Sequence, residues 1–594
     1  MSTYIPLSVL FGNPERVLPS ISPDGEHLAW LAPVDGALNL WLDDRPVTRA
    51  AGRGIGSYRW ARSGRKLLWV QDRDGDENGH VWCLDLVSSE IVDLTPFDAV
   101  RAELVATNAS APDVVLVGLN RRDARVFDLY RIDLDAGSID LVRENDDVES
   151  WLIGRDLEVL GATRMADDGT MSVVAATVDG WSDSVADVGN YLAVLALGVT
   201  ESGDVILRTD KDAPARYLAR LDLDSGELTA VLADATYDVT SATLSPLTGE
   251  PEFAVIERDR AEIVVLDRKV QGDIDALAEV HAGRPVILSR TADDRRWVVG
   301  YLSDNGPVAH YLWDRDTRTA NFLFDHRPEM HEHEWAPMEP FVFVARDGLE
   351  IRGYLTFPQH GPRTALPAVV NVHGGPWRRN VWGFDPEAQW LADRGYLCVQ
   401  VNFRGSAGYG RALLDAGDRQ WGAAMQDDLV DAVDHLARLG LVDRRRVGIM
   451  GTSYGGYATL CGMAFAPDVF ACGVATVGPA NLVTFITSLP PYWQPTVELW
   501  HRRVGHPVND AEMLRRRSPL FHVDQIRGSV LLVHGARDPR VPQAESDAMA
   551  AALAAAGVDH EYIVFADEGH GITRPENRDA FYNAAARFFG RCLR

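Results

Sequence analysis

The chain is poor in cysteine, has no long apolar run and gathers little positive charge in any one place. Its five cysteines, Cys83, Cys398, Cys461, Cys472 and Cys592, are odd in number and scattered, with no C-x-x-C pair. That spacing indicates neither a zinc knuckle nor a disulfide framework, and it fits a reducing cytoplasm. No window approaches the roughly 18 apolar residues of a membrane span. The opening stretch "MSTYIPLSVLFGNPERV" has no basic leader and its apolar run is broken by Pro6, so it does not read as a secretory signal. With 58 basic against 86 acidic residues the net charge is -28, which repels nucleic acid and anionic membrane surfaces. The short basic run "RLGLVDRRRV", through Arg446, reads as a solvated loop. Neither nucleic acid nor membrane is expected as a partner, and a homo-oligomer stays open.

The apolar fraction of 46% and charged fraction of 24% belong to a soluble globular protein. At 594 residues the chain exceeds one ordinary core, and about two to four domains are expected. From about Pro19 to Asp325 the texture is β, with short alternating runs between turn signals and no long helical period. A unit recurs, as in "SPDGEHLAWLAPVDGALNLWL" and "WARSGRKLLWVQDRDGDENGHVWCLDL". Fainter copies bring the count to seven, at spacings of roughly 30 to 50 residues, a period that suits a β-propeller with four strands per blade.

Beyond "HRPEMHEHEWAPMEP" apolar strands such as "LPAVVNV" and "GSVLLVHG" alternate with helical patterns such as "DDLVDAVDHLARLG". That alternation implies a parallel sheet covered by helices on both faces. The expected layout is an extension over residues 1–18 free to pack back on the second domain, a propeller over 19–330 and an α/β domain over 335–594. "HEHEW" between them reads as a linker rather than a metal cluster.

The stretch "VGIMGTSYGGYATLCGMAFA" carries Ser453 in G-x-S-x-G, between a strand pattern and a helix pattern. Such a turn holds a serine oxygen up for attack on a carbonyl. A serine hydroxyl needs a base, and the base needs an acid to fix its tautomer. On an α/β sheet these follow in the order Ser, Asp, His at strand ends. Asp538 in "SVLLVHGARDPRVP" and His570 in "EYIVFADEGHGI" meet that order. An oxyanion needs two backbone N–H donors. The amide of Tyr454, after the serine, is one; "VVNVHGGPW" supplies the other from Gly374 or Gly375.

With these motifs the chain resembles the prolyl oligopeptidase family of serine peptidases, and most closely its acylaminoacyl-peptidase and dipeptidyl-peptidase-like branch. The residues concerned are "HGGPW" (373–377), "NFRGSAGYG" (402–410), "GTSYGGY" (451–457), "ARDPRVP" (536–542) and "DEGHG" (567–571). The resemblance implies a multidomain fold, an N-terminal seven-bladed β-propeller plus a C-terminal α/β-hydrolase domain, with the active site between them. It implies Ser453 as nucleophile, His570 as general base and acid, Asp538 as orienter, Gly375 and Tyr454 as oxyanion donors, and Arg540 as a substrate-holding residue. Dipeptidyl peptidases hold the substrate amine with paired glutamates. No such pair stands out here, with Glu77 in "DRDGDENGH" the one candidate, in a loop otherwise read as a solvated turn.

The expected activity is cleavage of short peptides or acyl-amino-acid amides through an acyl-enzyme, with no metal or organic cofactor and with the propeller limiting entry. "ITSLPPYWQPTVELWHRR" (486–503) is expected to help line the pocket. An esterase or amidase of a small metabolite is the alternative, since one triad opens both bonds; a non-enzymatic propeller scaffold is the third.

Overall fold

A computed structural model describes residues 4–178 and 180–594. Seven small antiparallel sheets follow one another over residues 17–46, 58–93, 102–143, 148–190, 195–232, 239–265 and 284–325. Each repeat noted above is the central hairpin of one blade. In the first, Leu28–Val34 pairs with Ala37–Leu42. Its interior residues are covered on both sides by neighbouring blades, so Ala29, Leu31 and Leu40 are wholly buried. Burial of each such leucine is worth about 1.5 to 3 kcal/mol.

Six blades have four strands and the sixth has three. After Ala261–Val265 the helix Gln271–Ala278 stands in chain order where a fourth strand was expected. Val270, Ile274 and Leu277 recur at helical spacing and are buried. Asp273 on this helix accepts from the Trp313 indole at 3.1 Å and pairs with Arg315 at 3.0 Å, fixing it to the seventh blade.

The ring closes without strand exchange. The innermost strand of the first blade, Val17–Ile21, lies beside Arg284–Arg290 of the seventh, where Ile21 N–H donates to Ser289 Oγ at 3.0 Å. The short helix Leu7–Phe11 precedes it and packs on the hydrolase helices Pro386–Asp393 and Pro575–Cys592, with Phe11 stacked on Tyr582.

Residues 338–565 supply one eight-stranded sheet. Its spatial order is Met338–Val344, Glu350–Thr356, Leu397–Asn402, Leu366–Val372, Val442–Thr452, Cys472–Thr476, Ser529–Gly535, His560–Phe565. Every neighbouring pair from Leu397–Asn402 onward is parallel, while the first two strands are antiparallel. The sheet is thus mixed, not wholly parallel, because "FVFVARDGLEIRGYL" folds as a tight hairpin on Gly348 with its φ of 91°. The helices Ala424–Arg438 and Tyr454–Phe465 pack against the apolar strands in the main core, with Trp421, Met463 and Phe470. No helix among the described residues is long and apolar enough to cross a membrane.

Candidate active site

Ser453 sits between the strand Val442–Thr452 and the helix Tyr454–Phe465 with a φ of 62°, a left-handed conformation that costs a non-glycine residue energy. Its amide holds the turn by donating to Thr476 O at 2.9 Å. The surrounding glycines are needed because neighbouring backbone lies almost in contact. A Cβ on Gly455 would stand 2.1 Å from Val372 O, and one on Gly456 would stand 2.6 Å from Thr476 O.

Asp538 follows the strand Ser529–Gly535, and His570 follows His560–Phe565. The three side chains are linked in series. His570 Nδ1–H donates to Asp538 Oδ2 at 2.6 Å, and Ser453 Oγ lies 2.9 Å from His570 Nε2, which accepts its hydroxyl proton. The other oxygen, Asp538 Oδ1, accepts from the amides of Arg540 at 2.8 Å and Val541 at 3.0 Å. This carboxylate side chain is fully buried, and its orientation toward His570 is fixed from both ends.

Two buried groups missed in the sequence support this row. His534 accepts from Ser546 Oγ at 2.7 Å and donates through Nε2 to Val541 O at 2.9 Å, closing the loop that carries Asp538. Burial lowers its pKa and keeps it neutral. Glu568, also buried, accepts from the amides of Thr573 and Arg574 at 2.9 and 2.7 Å and so braces the loop around His570. Their only sequence signal is position, beside Asp538 and His570.

Gly374 lies against the serine, since a Cβ there would be 3.7 Å from Ser453 Cβ. The amides of Gly375 and Tyr454 have no hydrogen-bond partner among the described residues. His373 anchors this glycine loop. It donates through Nδ1 to Gly374 O at 2.8 Å, faces Ser406 Oγ at 3.0 Å and stacks on Phe403. Its pKa is pushed down to about 4 by burial.

The loop "DRDGDENGH" joins the strands Lys66–Gln71 and His80–Asp85 of the second blade. It is not a solvated turn, as expected above, but the main contact of the propeller with the site. Asp74 pairs with Arg537 at 2.9 Å and with Arg574 at 2.6 Å, so one carboxylate clasps the loops carrying Asp538 and His570. Gly75 meets Gly569 backbone to backbone, where a Cβ on Gly569 would stand 2.3 Å from Gly75 O.

Glu77 has three partners: it forms an ion pair with Arg540 at 2.7 Å and accepts hydrogen bonds from the Tyr492 hydroxyl at 2.6 Å and from Arg101 at 3.2 Å. Arg540 thereby points across the domain boundary, lying 5.8 Å above Trp493. The aromatic segment after the serine helix reaches the site through Tyr492 and Trp493, while Trp500 belongs to the hydrolase core. A cavity of 640 Å³ opens here, with Gln71, Glu77, Arg101, Glu103, Arg540 and His570 in its wall. His331 of the linker pairs with Asp325, away from this cavity.

The chain has known relatives. Over 98% of its length the chain is 38% identical to the dipeptidyl aminopeptidase BIII of Pseudoxanthomonas mexicana, of which the match covers 88%. The chain belongs to the prolyl oligopeptidase family. The family's own sequence model matches residues 382–594. A second relative, dipeptidyl peptidase family member 6 of Caenorhabditis elegans, is 30% identical over 99% of this chain and 86% of its own. Among solved structures, a puromycin-hydrolyzing peptidase of Mycobacterium tuberculosis superposes with a TM-score of 0.76 at 20% identity, covering 100% of this chain and 97% of its own. The acylaminoacyl peptidase of Pyrococcus horikoshii gives 0.64 at 21%, covering 98% and 89%. At such identities these two establish the fold alone. Family membership makes the chain a serine hydrolase that cleaves peptide bonds.

Proposed function

We propose that this family member is an aminopeptidase that releases dipeptides from short peptides with a free amino terminus. Ser453 Oγ attacks the scissile carbonyl as His570 Nε2 takes its proton, and Asp538 steadies the imidazolium. The amides of Tyr454 and Gly375 donate to the oxyanion, a contribution of several kcal/mol where two such donors act. His570 passes the proton to the leaving amine, and an acyl-enzyme on Ser453 remains. Water, deprotonated by His570, then releases the acyl group and regenerates the serine.

The observation carrying this reading is Glu77, a propeller carboxylate in the same cavity wall as His570. A substrate ammonium completes a charge-assisted bond to it, leaving Arg540 and Arg101 free to donate to peptide carbonyls. The dipeptidyl activity named for the 38% identical relative agrees with a carboxylate placed there. A second reading has support in Glu77 being already paired with two guanidiniums: release of a blocked residue, with Arg540 held ready for an acyl oxygen. The five cysteines, all free thiols, fit residence in a reducing cytoplasm.

The test compares a dipeptide p-nitroanilide with its N-acetylated twin. The free amine should raise kcat/KM about 100-fold, close to the worth of one buried charge-assisted bond, and Glu77→Gln should erase most of that difference. Faster cleavage of the acetylated twin would replace this reading with the second.

A further inference from the structure

A second cavity, of 670 Å³, lies within the propeller and is lined by the innermost strands of blades one to five and seven. Three arginines line it, Arg59, Arg62 and Arg290, and no carboxylate does. This is unusual in a chain with a net charge of -28. The arginines of the cavity beside His570 are, by contrast, all paired: Arg540 with Glu77, Arg101 with Glu77 and Glu103, Arg53 with Asp72.

Arg59 and Arg62 have neither an ion pair nor a side-chain hydrogen bond among the described residues. Both are exposed on the chamber wall; the protein around them lowers their pKa values, and the Arg59 charge adds to the effect on Arg62, with no acidic group opposing it. Arg290 is held by Glu252 at 2.5 Å and Asp294 at 3.3 Å. Its Nε and Nη2 are buried and have no partner. Two adjacent, uncompensated guanidiniums repel each other, and that cost is relieved when an anion enters between them.

The placement says which anion. Gly54 and Gly56 line the cavity beside His570, while Tyr58, Arg59 and Trp60 on the next strand, and Arg62 after it, line the chamber. At about 3.3 Å per extended residue, the three to six positions between them span at most roughly 10 to 20 Å. A peptide held with its amine at Glu77 and its scissile bond at Ser453 therefore needs only about six to ten residues to bring its other end to the arginines.

We propose that Arg59 and Arg62 form a binding site for the C-terminal carboxylate of the peptide substrate. Arg290, from the seventh blade, adds its charge to the same chamber wall while its guanidinium stays held by Glu252 and Asp294. The inference rests on the aminopeptidase reading for the identity of the anion, and it adds a length preference that the catalytic cleft alone would not produce.

The test uses three substrates, a dipeptide p-nitroanilide too short to reach the chamber, a decapeptide acid and the same decapeptide as its C-terminal amide. In the wild-type protein the acid should show a KM about 10-fold below that of the amide. Arg59→Gln/Arg62→Gln should abolish the difference and leave anilide turnover unchanged, and Arg59→Lys/Arg62→Lys should keep part of it. Calorimetric titration of the Ser453→Ala protein with acid and amide reads the same difference without turnover. Equal affinities there, or a preference that survives the Gln pair, would overturn the chamber's role. Absence of anilide cleavage with the acid preference intact in the titration would overturn only the aminopeptidase reading.

Discussion

Ser453 carries its hydroxyl on a backbone with positive φ that nothing in its own side chain favours. The three glycines at 451, 455 and 456 make this turn feasible by letting the strands on either side approach within contact distance. Those glycines identified the site in the sequence for the same reason, since a local motif records a local steric need. Arg540 is a different kind of residue. Its backbone amide already serves Asp538, and its guanidinium spans to Glu77. Arg540→Ala keeps the amide and removes the guanidinium. We predict a 10- to 100-fold loss in kcat/KM on peptides, equivalent to about 1.5 to 3 kcal/mol for a charge-assisted bond. Small aryl esters, which offer no distal carbonyl, should lose much less. Equal losses on both substrates would show that Arg540 acts only by holding its loop.

The second-blade loop is the element that joins propeller to chemistry, and little in its sequence announced it. Asp74 and Arg537 are separated by 463 positions, and no periodicity or local spacing can encode such a pair. The one available sign was length, since "DRDGDENG" exceeds a two- to five-residue hairpin connection. Conversely, the central hairpins of the blades were legible because alternation and an SPDG-type turn are short-range properties. The outer strands, such as Arg45–Pro46 and Ile91–Asp93, are brief and solvent-facing, and they leave no pattern. The helix in the sixth blade and the antiparallel edge of the large sheet were missed because each is short enough for its neighbours to decide its form. The clasp makes a prediction. Asp74→Asn weakens the tie to Arg537 and Arg574 at once while leaving Ser453, His570 and Asp538 in place. The expected result is a fall in kcat of about 10-fold with KM little changed and the melting temperature within a few degrees. Unaltered kcat would mean that the hydrolase holds both loops without help.

At the scale of the molecule, a ring closed on itself stands beside a hydrolase whose site is completed from both sides. Glu77, Arg101 and Asp74 come from the propeller, Ser453, Asp538, His570 and Arg540 from the sheet. A folded protein cannot enter a cavity of 640 Å³ bounded in this way, whereas an extended peptide end can. Family and fold thus account for the bond that is cut, and in the proposed function the propeller carboxylate Glu77 selects the end of the peptide. The most direct measurement is mass spectrometry of an unstructured decapeptide and its N-acetylated twin after incubation with the wild-type and Ser453→Ala proteins. The account predicts successive loss of dipeptides from the free-amine peptide, an intact acetylated twin, and a loss of activity in Ser453→Ala by several orders of magnitude. Equal digestion of both peptides, internal cuts ahead of terminal ones, or more than about a tenth of the wild-type rate in Ser453→Ala would contradict it.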